Sequence, residues 1–188
     1  NLSLEYYNAA LNDARQVPSS HQEICDKTLK WFDQNKEDLM SVDSYALYGS
    51  GSLWGVALEG ALKILEVAKR FLCVGYEMDD GLHGPTMGFT KKHGIIILND
   101  GGKDEHLAMG LAKYIKNEVG HAYIIGKNTL DEADLPFELK GNDFKCLEFA
   151  PVVEILAYRL AVDYGIILQD IEHQEPLPEM KYFNTHDE

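Results

Sequence analysis

Gly94-Ile95-Ile96-Ile97-Leu98 is the stretch that decides the fold. It is a continuous apolar run, and the polar turn Asn99-Asp100-Gly101-Gly102 follows it directly. Strands that are buried on both faces have this pattern, whereas half-exposed strands alternate apolar and polar residues. The run therefore predicts an inner strand of a parallel sheet that helices cover on both sides.

Shorter apolar runs on both sides predict four more strands, and segments of helical periodicity separate them. Strands that alternate with helices at short spacing are typical of α/β domains. We therefore expect a three-layer α/β/α sandwich with a five-stranded parallel sheet of the flavodoxin-like kind. The remaining strands are predicted at residues 44–48, 71–76, 121–125 and 144–149, and helices at 53–70, 104–119 and 151–164.

The 188 residues suffice for one domain with a full core. Residues 1–43 are predicted to form helices that lead into the domain, and residues 44–170 to form the α/β domain itself. Residues 171–188 are predicted to be a polar tail. No internal repeat or low-complexity segment interrupts this order.

Composition excludes several classes of protein. The net charge of -14 argues against nucleic acid, since binding the phosphate backbone needs a basic surface. The longest apolar runs are too short to cross a bilayer. The three cysteines are odd in number and form no Cys-x-x-Cys pair, which favours reduced thiols in a cytoplasmic protein.

Gly49-Ser50-Gly51-Ser52 stands between a predicted strand and a predicted helix. Glycines let the backbone approach a ligand, and the start of a helix directs N–H groups towards an anion. The stretch is not a dinucleotide fingerprint, because Trp54 occupies the place of the third glycine. Ser50 and Ser52 are therefore candidate ligand-binding residues, with a tight turn capped by a serine as the alternative.

Three further side chains are candidates for chemistry. Glu66 lies two helical turns from Glu59 with Lys63 between them, which fits either a general base or an ordinary ion pair. His83 lies in a glycine-bounded loop, where it could transfer protons or simply be exposed. Lys181 belongs to a proline-stiffened tail that could pack over a surface. Too few ligand-type residues cluster here to predict a metal site.

Together these stretches resemble the sugar-isomerase (SIS) domain family. The likeness is to the second SIS domain of glucosamine-6-phosphate synthase and of the fructosamine-6-phosphate deglycases. It rests on Gly49-Ser50-Gly51, on residues 57–66, and on His83-Gly84-Pro85, whose order and spacing are specific. It extends to the last helix and to Lys181.

The resemblance implies a role for each candidate. Glu66 falls on the carboxylate that moves a proton between C1 and C2 of the opened sugar. His83 falls on the histidine linked to ring opening, which in the synthase reaches a neighbouring subunit's site. Lys181 falls on the tail lysine that helps to open the ring or to handle the carbonyl. No metal or organic cofactor is implied.

The chain also departs from the family. Asp80 stands where a glutamate is common, and Tyr182 is an aromatic residue closer to the deglycases. The serine-rich phosphate loop after the third strand is replaced by residues 99–105, whose acids would repel a phosphate. The chain is therefore predicted to hold the catalytic half of a composite site. A preceding SIS domain or a partner subunit, as in a homodimer, would complete that site.

Two readings remain open besides an isomerase or deglycase half-site for a sugar phosphate. One is a module that senses sugar phosphates or dimerises without catalysis, and the other is a purely structural half. Either could dispense with Glu66, His83 or Lys181, and all three are present.

Overall fold

The computed structural model describes residues 3–169 and residue 182. It contains six α-helices and five strands within the described residues. The strands are β1 (Ser44–Gly49), β2 (Leu72–Glu77), β3 (His93–Asn99), β4 (His121–Gly126) and β5 (Leu135–Pro136). The helices are α1 (Leu4–Gln16), α2 (His21–Ser41), α3 (Ser52–Lys63), α4 (Met78–Leu82), α5 (Glu105–Tyr114) and α6 (Ala150–Asp163).

All five strands are parallel, and their order is β2-β1-β3-β4-β5. This is the flavodoxin-like order, in which the direction of winding reverses between β1 and β3. Helices α2, α3 and α6 pack on one face of the sheet, and α4 and α5 pack on the other. The predicted three-layer sandwich with a five-stranded parallel sheet is confirmed.

Strand β3 joins the two halves of the core. Its side chains alternate, so that Ile96 and Leu98 enter the cluster beneath α2, α3 and α6. Ile95 and Ile97 enter the cluster beneath α5. All four are essentially inaccessible to solvent, which explains why this strand has no polar alternation.

Helix α2 is part of the main core. Ile24, Trp31, Phe32 and Leu39 are buried against the sheet and α6. The Trp31 indole also donates a hydrogen bond of 2.7 Å to the Ala133 carbonyl. The division of the chain at residues 43 and 170 stays a prediction. Among residues 3–169, no helix has the length and apolar character that crossing a bilayer requires.

The prediction of a fifth strand at residues 144–149 is wrong. That segment contains a short 3-10 helix, Lys145–Glu148, and β5 lies earlier in the chain, at Leu135–Pro136. The Glu148 side chain is buried, and its carboxylate accepts N–H groups from Lys140 at 3.0 Å and Gly141 at 2.9 Å. Strand pairing would leave this buried charge without its donors, so the segment turns instead.

Gly60 and Gly55 make matched probes of the packing of α3. A Cβ at Gly60 would lie 2.6 Å from Leu47 Cδ2 and 2.8 Å from Val153 Cβ, whereas one at Gly55 would meet nothing within 4 Å. We expect Gly60→Ala to lower the free energy of unfolding by about 1–2 kcal/mol through overpacking. Gly55→Ala should raise it by up to about 1 kcal/mol through helix propensity. Urea denaturation measures both, and equal effects would contradict the close packing.

Candidate functional site

A crevice of about 230 Å³ opens at the carboxyl ends of β1 and β3, where the winding of the sheet reverses. Ligands of open α/β sheets bind at this topological position. The loop from Ser50 to Leu53 forms one wall, and the loop from Asn99 to Glu105 supplies most of the other. Lys145 closes the rim from beyond β5.

Two glycines shape the first wall. Gly51 has a φ of 56°, which is a strained conformation for other residues. A Cβ at Gly49 would collide with the carbonyl group of Leu53 in the first turn of α3. The tight turn therefore lets α3 begin directly above β1, with Ser50 and Ser52 in the crevice.

Ser50 is the unusual side chain of this wall. Its hydroxyl oxygen is buried and has no hydrogen-bond partner among the described residues. A buried hydroxyl is normally paired, so an unpaired one at the edge of a crevice is a point where a ligand could donate or accept. The crevice therefore contains both serines that the sequence singled out.

The second wall is rich in charge. Asp100 pairs with Lys145 at 2.9 Å and accepts the Gly102 N–H at 2.8 Å. Asp104 and Glu105 also line the crevice, and Lys103 is the one further cation in its lining. Three carboxylates face two ammonium groups, which leaves the crevice with a small negative balance and makes it unfavourable for a phosphate.

Glu66 lies elsewhere. It follows α3 in a π-helical turn, Ile64–Ala68, and its side chain is 52% exposed. The Lys63 ammonium is 3.0 Å from its carboxylate and 3.5 Å from that of Glu59. The hydrogen bond from Lys63 to Glu66 raises the pKa of the lysine. The two glutamates and the lysine thus form one exposed cluster, as their spacing predicts.

His83 follows α4, close to the carboxyl end of β2, and its side chain is 77% exposed. Its Nδ1 lies 2.8 Å from the Asp79 carbonyl oxygen. Because a carbonyl oxygen only accepts, Nδ1 carries a proton in this arrangement. The ring is therefore oriented with Nε2 available to a group outside the loop.

One copy of the chain does not bring Glu66 and His83 together. Glu66 lies at the amino ends of the strands, which we call the amino edge of the sheet. The reason is that α3 runs back from the carboxyl ends of the strands, the carboxyl edge. His83 lies at the carboxyl edge, and the six residues of β2 between the edges span roughly 17 Å. Glu66 is also about 20 Å along its helix from Ser52.

The proteins that this chain is similar to are described as aminotransferases and phosphosugar isomerases. No family model matches the chain. It is 32% identical, over 130 residues, to the isomerizing glutamine–fructose-6-phosphate aminotransferase of Sulfurisphaera tokodaii. That match covers 69% of this chain and 22% of the aminotransferase.

Two solved structures have the same fold at lower identity. A protein of Clostridium difficile 630, described as a candidate phosphosugar isomerase, superposes with a TM-score of 0.82 at 20% identity. The C-terminal domain of a glucosamine-fructose-6-phosphate aminotransferase from Francisella tularensis gives 0.75 at 18% identity. The chain has the SIS fold. The resemblance drawn from its motifs is confirmed.

This SIS domain spans only part of its relatives. It covers 22% of the curated aminotransferase. The match to the Clostridium difficile structure covers 97% of this chain and 51% of that one. The match to the Francisella tularensis domain covers 87% of this chain and 48% of that one.

Lys181 lies outside the described residues, and Tyr182, its neighbour in sequence, is exposed. The described chain reaches Gln169 after α6 has returned to the amino edge of the sheet. There the Tyr164 ring packs on Phe71 with 5.2 Å between centroids, and the Arg70 guanidinium stacks over it at 4.5 Å. The described chain thus reaches the edge that holds Glu66.

Lys145 was missed by the sequence reasoning. It lies in the segment predicted as a strand, and neither its neighbours nor its spacing associates it with Ser50. Only the folded chain brings it to the crevice, as the partner of Asp100.

Asp100→Asn tests the charge balance of the crevice. The change removes one carboxylate and frees Lys145, so inorganic phosphate should bind roughly fivefold more tightly, the equivalent of about 1 kcal/mol. Titration followed by the NMR shifts of the Ser50 and Ser52 amides measures this. Asp43→Asn makes the same charge change at the opposite edge of the sheet, and an equal gain in that variant would contradict a local effect.

Proposed function

We propose that this SIS domain is the catalytic half of a phosphosugar isomerase or fructosamine-6-phosphate deglycase. The observation that carries the proposal is the exposed Glu66 carboxylate, anchored by Lys63 on a helix surface. It lies at the opposite ends of the strands from the domain's own crevice, so a substrate held in that crevice could not reach it. The aminotransferase relative, which is named as isomerizing, supports the same class of reaction.

Glu66 would act as the proton shuttle. In an open-chain ketose it takes a proton from C1 and returns it at C2, while a second proton moves from O1 to O2. The product is the aldose, and atoms and charges balance through an enediol. In a C1-amino ketose the same transfer gives an imine at C1, which water cleaves to an aldehyde and a free amine.

The other proposed roles follow from where this reaction needs a proton and where it develops negative charge. Ring opening needs a proton donor at the ring oxygen, and the developing oxyanion needs a cation. Lys181 is proposed as that cation. The chain from Gln169 to Lys181 can extend to roughly 40 Å at most. His83 is proposed as the proton donor in a neighbouring subunit's site, because its own Glu66 lies across the sheet.

The phosphate would be held mainly by another domain. The crevice here is acidic at residues 99–105, although Ser50 and Ser52 remain candidate contacts for substrate hydroxyls. We infer that a preceding SIS domain or a partner subunit of a homodimer completes the site. The cytoplasmic location of the protein stays a prediction. A sensing or structural module is less well supported, because it would need neither Glu66 nor His83.

Glu66→Gln should abolish proton transfer without unfolding the protein. When fructose 6-phosphate is incubated with the chain in D₂O, loss of its C1 proton signal in NMR reports each enediol formed, even when overall turnover is slow. We expect the rate to fall by about 100-fold or more, with a stability change below about 1 kcal/mol because the side chain is exposed.

Glu59→Gln is the matched control. Glu59 contacts the same lysine from one turn before Lys63, on the same exposed helix surface. It should keep most of the exchange activity. Unchanged exchange in the Glu66 variant, or a large drop in its melting temperature, would contradict the role of a base.

Mixing two inactive variants tests the proposed role of His83. If His83 serves a neighbouring subunit, Glu66→Gln and His83→Asn inactivate different parts of a shared site. Subunits exchanged in equal amounts should then recover roughly a quarter of the wild-type rate, through the one intact site of each heterodimer. A mixture as inactive as its components would place both residues in one site or His83 outside it.

A further inference from the structure

Glu77 is the last residue of β2 and the N-cap of α4, the five-residue helix that precedes His83. Its carboxylate accepts N–H groups from Asp79 at 2.8 Å and from Asp80 at 3.3 Å. A side-chain acceptor at this position satisfies N–H groups that the first turn of a helix otherwise leaves without partners. Glu77 therefore fixes the start of the segment that carries His83.

Helix α4 is too short to be stable through its own hydrogen bonds. Tyr48, a buried side chain of β1, donates a hydrogen bond of 3.1 Å to the Gly81 carbonyl. A Cβ at Gly81 would lie 2.3 Å from Tyr48 Cε1 and 2.7 Å from Tyr76 Cβ, so the middle of the helix rests directly on the sheet. The body of α4 is thus fixed by Tyr48, and its first turn is fixed by Glu77.

One peptide unit lies between the Glu77 carboxylate and the His83 ring. The C=O of Asp79 and the N–H of Asp80 belong to this unit, and in a trans peptide they point in opposite directions. Glu77 accepts from the N–H end, and the oxygen at the other end is 2.8 Å from His83 Nδ1. Hydrogen bonds in such a chain polarise one another, so a carboxylate at one end makes the carbonyl oxygen at the other end a stronger acceptor.

The Asp79 carboxylate is the other group near the ring. Its Oδ1 is 3.9 Å from His83 Nδ1, which is too far for a hydrogen bond, and the side chain is 70% exposed. A solvated carboxylate at this distance contributes little to the orientation of a side chain. The backbone carbonyl of the same residue is therefore the group that holds the ring.

We propose that Glu77 is a positioning residue for His83, and that it acts through the peptide unit between Asp79 and Asp80. This chain of hydrogen bonds holds a proton on Nδ1, so the ring takes up and releases its second proton at Nε2. Donation from Nε2 leaves the neutral ring with its remaining proton on Nδ1, where the Asp79 carbonyl already accepts it. No change of tautomer has to follow the step. The consequence for catalysis rests on the proposed function, in which His83 is a proton donor, whereas the orientation of the ring does not.

The ¹⁵N signals of the His83 ring test the proposal in the 188-residue chain. Long-range ¹H–¹⁵N NMR spectra distinguish a ring nitrogen that carries a proton from one that does not, and His83→Asn assigns the signals by their loss. In alkaline buffer, where imidazole rings are neutral, we expect the wild-type ring to carry its proton mainly on Nδ1. Glu77→Ala should shift the proton towards Nε2. Glu77→Gln should keep most of it on Nδ1, because the amide oxygen still accepts both N–H groups.

Asp80→Asn is the matched control, because it removes a neighbouring exposed carboxylate and leaves the backbone groups of α4 in place. It should not move the ring signals of His83. Circular dichroism checks that each variant is folded. Ring signals that stay unchanged in Glu77→Ala, or that move as far in Asp80→Asn, would overturn the proposal.

Exchange of the C1 proton of fructose 6-phosphate, measured on the same variants, separates this proposal from the proposed function. We expect Glu77→Ala to lower the maximal rate about tenfold with KM little changed, since misplacing a reacting group slows the chemical step. Glu77→Gln should recover most of that rate. A shifted ring signal with an undiminished exchange rate would support Glu77 as the residue that positions His83, and would contradict the part assigned to His83 in the reaction.

Discussion

Burial of β3 on both faces is the constraint on which the rest of the structure depends. A strand with no solvent-facing side can exist only between two layers, so Ile95 and Ile97 require α5 on one face. Ile96 and Leu98 require α2, α3 and α6 on the other. Once both layers are present, parallel strands with helical connections follow, and all the carboxyl ends of the strands meet at one edge.

That edge and the opposite one have different chemistry. The carboxyl edge has the crevice, with the buried Ser50 hydroxyl and the ion pair of Asp100 with Lys145. The amino edge has Glu66 with Lys63, and the end of the described chain beside Tyr164. Because β2 and α3 set the distance between the edges, these two groups of residues do not meet within one copy of the domain.

The sequence predicts whatever depends on local pattern. The runs at β1 to β4 and the periodicity of the long helices place the sheet and its layers, and the motifs single out Glu66, His83 and the two serines as candidates. It fails where a single long-range contact decides. Residues 144–149 have apolar residues suited to a strand, but burial of Glu148 against the N–H groups of Lys140 and Gly141 turns them into a 3-10 helix. β5 has two residues, too few for any pattern. The association of Lys145 with the crevice likewise exists only in three dimensions.

The separation of the two edges also bears on how this domain can change over time. Substitutions in residues 99–105 alter the crevice without touching the helix turn that holds Glu66, since roughly 20 Å of α3 lies between them. The charge of the crevice could therefore change while Glu66 is kept, or the reverse, with no compensating mutation. The two ends of the sheet can therefore evolve separately. Residues at one end can change or acquire a new ligand while those at the other end stay the same.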